Sequence, residues 1–303
     1  MYYLLTLLAV ALLALEFSVQ KLYQKKAGVT PAAGLFFNAV NGITTAILFY
    51  LLNGFMNGFS TLKITPFAIL MAAMMSICNF VYIIVGFNMM KRGSMALYTL
   101  FLMSGGMLIP YVVGVAFLGE FASLSGWQIA MRVAGIVIMV LGVVVSNISK
   151  EKANNMKMIL FLGITVFILN GGCSVASKLH QLPTMQELAT TAAGFVMLTG
   201  IIKFVLCSAG LGITAVKNKE QIKAIPKEKT VPLIVTGAAI SGVSYLCQLI
   251  GAANLPASVL YPLITGGAIV FTTLAGRLFF KEKPTKSILL GIALCVAGTC
   301  LFL

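Results

Sequence analysis

One carboxylate lies inside the first apolar run of this sequence. Glu16 sits in the stretch Ala14–Lys21, with Gln20 at i+4 and Tyr23 at i+7, all on one helical face. An ionisable group in an apolar segment is costly and reads first as functional. A carboxylate in a poorly hydrated cavity can take up and release a proton, or pair with a cation beside tyrosine rings. Other polar stripes recur at helical spacing. They are Ser76, Asn79 and Tyr82; Asn170, Ser174 and Ser177; Ser241, Tyr245 and Gln248, with Ser244 beside them; and Asn38, Asn41 and Thr45. Tyr98 and Tyr261 open two segments that run into Gly105-Gly106 and Thr265-Gly266-Gly267. Polar stripes in apolar helices should face protein or water, not lipid. The expected substrate contacts are Glu16, Gln20, Asn79, Tyr82, Tyr98, Ser174, Tyr245, Gln248 and Tyr261, with Glu16 also the coupling group.

Plainer readings exist for several of these residues. Ser and Thr often bond back to their own helix, and paired glycines often mean close helix contact. Tyr98 and Tyr261 can anchor helix ends at the interface. Glu120 and Glu282 sit at turns and are expected to cap them or to be solvated there. Lys203 is expected to snorkel to headgroups. Glu16 itself could pair with Lys25 or Lys26 at the interface.

Catalysis finds little support. The single His180 has no Asp anywhere in the chain, and the six cysteines fall in apolar segments without a CxxC pair. No metal, cofactor or catalytic residue is expected, and the chain reads as a non-enzyme. The sequence carries no GxxxxGK[ST] loop, so energy would come from gradients.

The elements that must position these groups are membrane helices. The chain is 60% hydrophobic and only 9% charged, with a mean hydropathy of +1.03. Ten apolar runs of spanning length are expected at about 2–22, 33–53, 66–90, 94–118, 127–147, 157–178, 187–213, 231–253, 257–279 and 286–303. Breakers separate them, among them Gly28, Pro31, Gly58, Pro66, Gly126, Pro183, Pro256 and Pro284. The first run lacks a basic leader and a cleavage site, so it reads as a retained helix. The net charge of +14 is spread between apolar runs, which fits topology signals and lipid headgroups and argues against a nucleic-acid partner.

The run 94–120 resembles 257–282, with Tyr98 matching Tyr261 and Glu120 matching Glu282. Tyr82 matches Tyr245, 135–145 matches 291–301, and Val19–Leu22 weakly matches Ala176–Leu179. The expected fold is therefore all-α, with ten transmembrane helices in two five-helix repeats, 1–149 and 157–303, joined by 150–156. Because five is odd, the second repeat enters from the opposite side and the repeats are inverted, with a site between the halves near the midplane. Connections after odd-numbered spans hold 17 Lys and Arg; the opposite face holds 3, Lys63, Arg132 and Lys178. That asymmetry puts the odd connections in the cytosol and both termini outside a plasma membrane.

The motifs Ala96-Leu97-Tyr98, Gly119-Glu120, Glu282 and the Gly135/Gly142 and Gly291/Gly298 spacings resemble those of the drug/metabolite transporter superfamily, EamA type. The resemblance implies ten helices and a central cavity lined by spans 1, 3, 4, 6, 8 and 9. Two features depart from that pattern. Leu15-Glu16 and Gly171-Gly172 stand where the family often has an aromatic-Gly pair, and the chain ends at Phe302-Leu303 without a basic tail. Together these readings predict a secondary transporter for a small polar metabolite, an amine or amino acid, working in a lipid bilayer with protons or another coupling ion. A multidrug or quaternary-cation exporter is the alternative; an intramembrane enzyme or lipid-handling protein is a more distant one.

Overall fold

Thr30 ends one connection and starts the next helix. Its hydroxyl accepts from the Ala33 N–H at 3.1 Å, and Pro31 follows at the first helical position, where a missing N–H costs nothing. Thr65 and Thr285 do the same through Ala68 N and Ile288 N. Helices end where glycine adopts positive φ, Gly28 at 77° and Gly58 at 87°. These signals delimit the helices of the computed structural model, which describes residues 1–28, 30–59, 62–92, 95–146, 156–217, 219–281 and 283–301.

The order is α1 (Tyr2–Ala27), α2 (Pro31–Asn57), α3 (Pro66–Arg92), α4 (Met95–Ala116), α5 (Gly126–Ser146), α6 (Met156–His180), α7 (Ala192–Lys217), the short α8 (Lys219–Lys223), α9 (Lys227–Asn254), α10 (Ala257–Phe280) and α11 (Lys286–Cys300). No strand occurs among the described residues. The ten expected spans match α1–α7 and α9–α11, and the helices mostly run a few residues past the apolar segments. The expected linker lies outside the described residues except for Met156, as does Glu282.

Among the described residues eight helices are long and apolar enough to cross a membrane; the apolar parts of α4 and α11 are shorter, Leu100–Ala116 and Lys286–Cys300. Large apolar side chains such as Leu4, Phe55, Leu160, Phe161 and Leu278 point outward. Such a surface suits hydrocarbon, where each helix satisfies its own backbone. The chain is a multi-pass membrane protein.

Packing interleaves the two ends of the chain. Helix α1 lies on α9 and α10, while α6 lies on α3 and α4. Helix α2 runs against α7, α5 against α11, and α4 meets α10. Two of these seams are made by reciprocal glycines. A Cβ on Gly42 would stand 2.8 Å from the Gly200 carbonyl, and one on Gly200 would stand 2.8 Å from the Gly42 carbonyl. On the α5–α11 seam, a Cβ on Gly142 would stand 2.8 Å from the Gly291 carbonyl, and one on Gly298 would stand 2.7 Å from the Gly135 carbonyl. The backbones touch, which is how small residues let apolar helices associate. Apolar clusters flank the centre. One joins Phe49, Ala72, Phe195 and Leu249; another joins Met107, Met139, Val143 and Cys295.

Candidate functional site

Glu16 is eleven residues from the end of α1, about 16 Å along the axis, which puts it in the middle of the helix. It lines a cavity of about 360 Å³ together with Leu13 and Phe17 of the same face. The interfacial alternative does not occur. Lys21 and Lys25 instead hold their ammonium groups 4.7 and 4.8 Å from the centre of the Phe280 ring. Among the described residues no hydrogen bond reaches the Glu16 carboxylate.

The other polar stripes converge on the same space. Asn79 and Tyr82 of α3, Ser174 of α6, Tyr245 and Gln248 of α9, and Tyr261 of α10 all line it, as do Asn41, Thr45, Ser76, Asn170 and Ser177. Many are already engaged with one another. The Asn79 amide donates to the Tyr82 hydroxyl at 2.7 Å, and Ser177 and Tyr245 share a hydrogen bond of 2.7 Å. Tyr261 donates to the Ser174 carbonyl, so it is a buried cross-link and not an interfacial anchor. Asn170 donates to the Leu102 carbonyl at 2.7 Å, tying α6 to α4. Pro110, inside α4, cannot donate to the Gly106 carbonyl one turn back, and Gly106 lies on the cavity. Thr45 is 7% exposed and its hydroxyl has no partner among the described residues.

Two expected contacts lie outside the lining. Gln20 continues the Leu13–Glu16–Phe17 face, but one turn further along α1, beyond the cavity; the displacement is axial and not angular. Tyr98 packs over Gly86, where a Cβ would come within 2.5 Å of its ring, and joins an apolar cluster with Met89, Ile159 and Leu162.

Lys203 belongs to the site, contrary to the snorkelling expectation. It is the twelfth residue of α7 and lines the cavity. Its ammonium donates to Asn41 Oδ1 at 2.8 Å, and the Asn41 amide donates in turn to Ser241 Oγ at 3.3 Å. The Glu16 and Lys203 charges act on each other across the cavity. The sequence signal was present: an intramembrane lysine merits the same reading as an intramembrane glutamate.

The model of the EamA-like transporter family, part of the drug/metabolite transporter superfamily, matches residues 156–303. Over those residues the chain is similar to the EamA-like transporter family. No curated protein matches the chain by sequence. A solved structure titled "Crystal structure of protein" superposes with a TM-score of 0.71 at 17% identity, over 99% of this chain and 95% of the other. At that identity the likeness is one of fold.

A charged brace also sits at one side of the cavity, at the Leu255-Pro256 break between α9 and α10. Lys178 was counted above as a loop charge, yet it is only 6% exposed. Its ammonium donates to the Ala252 and Leu255 carbonyls at 2.8 and 2.6 Å, at the C-terminal end of α9. Glu120 accepts from the Ala257 and Ser258 N–H groups at 2.6 and 2.8 Å, at the start of α10. A cation closes one helix and an anion opens the next, each matching the partial charge of the end it meets. Glu120 thus caps as expected, but it caps a helix 137 residues away. Glu282, the other expected cap, lies outside the described residues.

Proposed function

We propose that the chain is a secondary transporter that carries a small polar organic metabolite, an amine or amino acid, across the plasma membrane by alternating access. The moving parts are two inverted five-helix repeats, 1–149 and 157–303, joined by 150–156. Under this reading α1 to α5 correspond in order to α6, α7, α9, α10 and α11. The contacts pair accordingly. The packing of α1 on α9 and α10 is the image of α6 on α3 and α4, and the seams α2–α7 and α5–α11 join each helix to its own counterpart. Inverted repeats of this kind hold their substrate where the halves meet.

The observation that carries the reading is the cavity between the halves, lined by mid-helix polar groups and by a carboxylate without a hydrogen-bond partner among the described residues. Glu16 is the proton or cation group, and Asn79, Tyr82, Tyr245 and Gln248 are substrate contacts, with Ser174 and Tyr261 framing the wall. Loop charge favours cytosolic odd connections and outside termini.

Purified protein in liposomes tests this. Counterflow of a labelled amino acid or amine is expected, driven by a proton or ion gradient. Glu16→Gln should abolish gradient-driven uptake while exchange persists. Lipid turnover without solute flux would defeat the transporter reading, and gradient-driven uptake unaffected by Glu16→Gln would remove Glu16 from coupling.

A further inference from the structure

Among its described lining residues the cavity carries one carboxylate, Glu16, and one ammonium, Lys203, and the two do not pair by contact. Among the described residues no ion pair joins Glu16 to Lys203, although both line the cavity and each feels the other's charge. A charge in a low-dielectric space needs a partner. Lys203 has spent one of its three donors on Asn41, and two remain. The Thr45 hydroxyl lies on the same face of α2 as Asn41, one turn on, buried and without a partner among the described residues. Among the described residues the Glu16 carboxylate accepts no hydrogen bond.

The composition of this site discriminates among ligands. A net cation would gain Glu16 but would be brought up against Lys203. A net anion would gain Lys203 and Thr45 but meet Glu16. A molecule carrying both charges a few bonds apart satisfies both groups and leaves the site neutral. The remaining wall suits a medium-sized apolar or weakly polar side chain, since Leu13, Phe17, Met75, Met103, Leu260 and Ile264 line it too.

We propose that the substrate is a zwitterion of the α-amino acid type, its carboxylate held by Lys203 and Thr45 and its ammonium by Glu16. This rests on the transporter reading above and narrows it, and it makes Lys203 the residue that rejects simple amines and quaternary cations.

The test uses the full chain in liposomes and three radiolabelled pools of matched side chains. One contains L-leucine, L-methionine, L-threonine and L-glutamine. The second contains the corresponding decarboxylated amines, and the third the corresponding deaminated acids. Wild type should bind and exchange the zwitterion pool at least about tenfold better than either other pool, the scale of one like-charge encounter. Lys203→Met should lose that preference towards the amines, and Glu16→Gln should lose it towards the acids. Because the wild-type comparison stands alone, a variant that fails to fold does not spoil the test. Exchange of amines or acids in preference to zwitterions overturns the zwitterion assignment and leaves the transporter reading standing. Silence with all three pools overturns both.

Discussion

Removing the carboxylate of Glu120 should loosen the α9–α10 break more than any exposed acid could. Glu120→Ala deletes two hydrogen bonds to a charged acceptor, 2.6 and 2.8 Å long, and leaves the Ala257 and Ser258 N–H groups open in a buried turn. Both of those residues are buried, so water replaces the carboxylate poorly. Hydrogen bonds to a charged group are worth about 1.5–3 kcal/mol each. Taking the low end for each, the loss is about 3 kcal/mol. Glu120→Gln keeps one acceptor and should cost roughly half of that. The assay can exploit the buried thiols of Cys173, Cys207, Cys247 and Cys295, which become reactive only on unfolding, above a baseline set by the exposed Cys300. A thiol-reactive fluorophore followed during heating in detergent should report a drop of about 6 °C for Glu120→Ala, at about 2 °C per kcal/mol for a chain of this size. Glu187→Ala, at an exposed acid, should stay within about 1 °C. Lys178→Met should resemble Glu120→Ala, and the double variant should fall short of the sum because the two groups brace one break. A Glu120→Ala midpoint equal to that of Glu187→Ala would refute the brace.

Further outcomes follow from the packing. Gly42→Val places a Cβ 2.8 Å from one backbone atom of α7 and 2.9 Å from another, so the seam must part; a loss of about 3 kcal/mol or failure to accumulate is expected in the same melting assay. Tyr23→Phe removes a buried hydroxyl that donates to the Ala33 carbonyl at 2.7 Å and should lower stability by about 1 kcal/mol. A reporter fused to the C-terminus should be reached by impermeant reagents from outside the cell; cytosolic labelling would reverse the proposed orientation.

The helices were legible because hydropathy at spanning length is a one-dimensional signal, and Thr30, Pro31, Gly28 and Gly58 mark their ends locally. The polar stripes were legible for the same reason: periodicity fixes a face, and Glu16, Asn79, Ser174, Tyr245 and Gln248 share the faces that line the cavity. Periodicity does not fix depth along a helix. Gln20 has the right angle and the wrong height. Tyr98 has a similar sequence context to Tyr261, yet it packs into an apolar cluster over Gly86. The two lysines were misread for a different reason. What holds Lys203 is Asn41, 162 residues away, and what holds Lys178 is the end of α9, 74 and 77 residues away. Nothing near either lysine in sequence announces a buried partner, so sequence alone points to the commoner fate of a membrane lysine, at the interface.

If α2 and α7 are counterparts, as proposed, the reciprocal glycines of their seam make the two halves meet as identical subunits meet, each site resting on its own image. Two separate identical subunits would have to carry every charge twice. Within one chain the two proposed repeats are free to differ: α6 contains no acid to echo Glu16, and α2 contains no base to echo Lys203. The cavity therefore has a direction that its framework lacks. On the proposed reading, a passenger with a head and a tail would fit it one way round and keep that heading while the walls about it exchange roles.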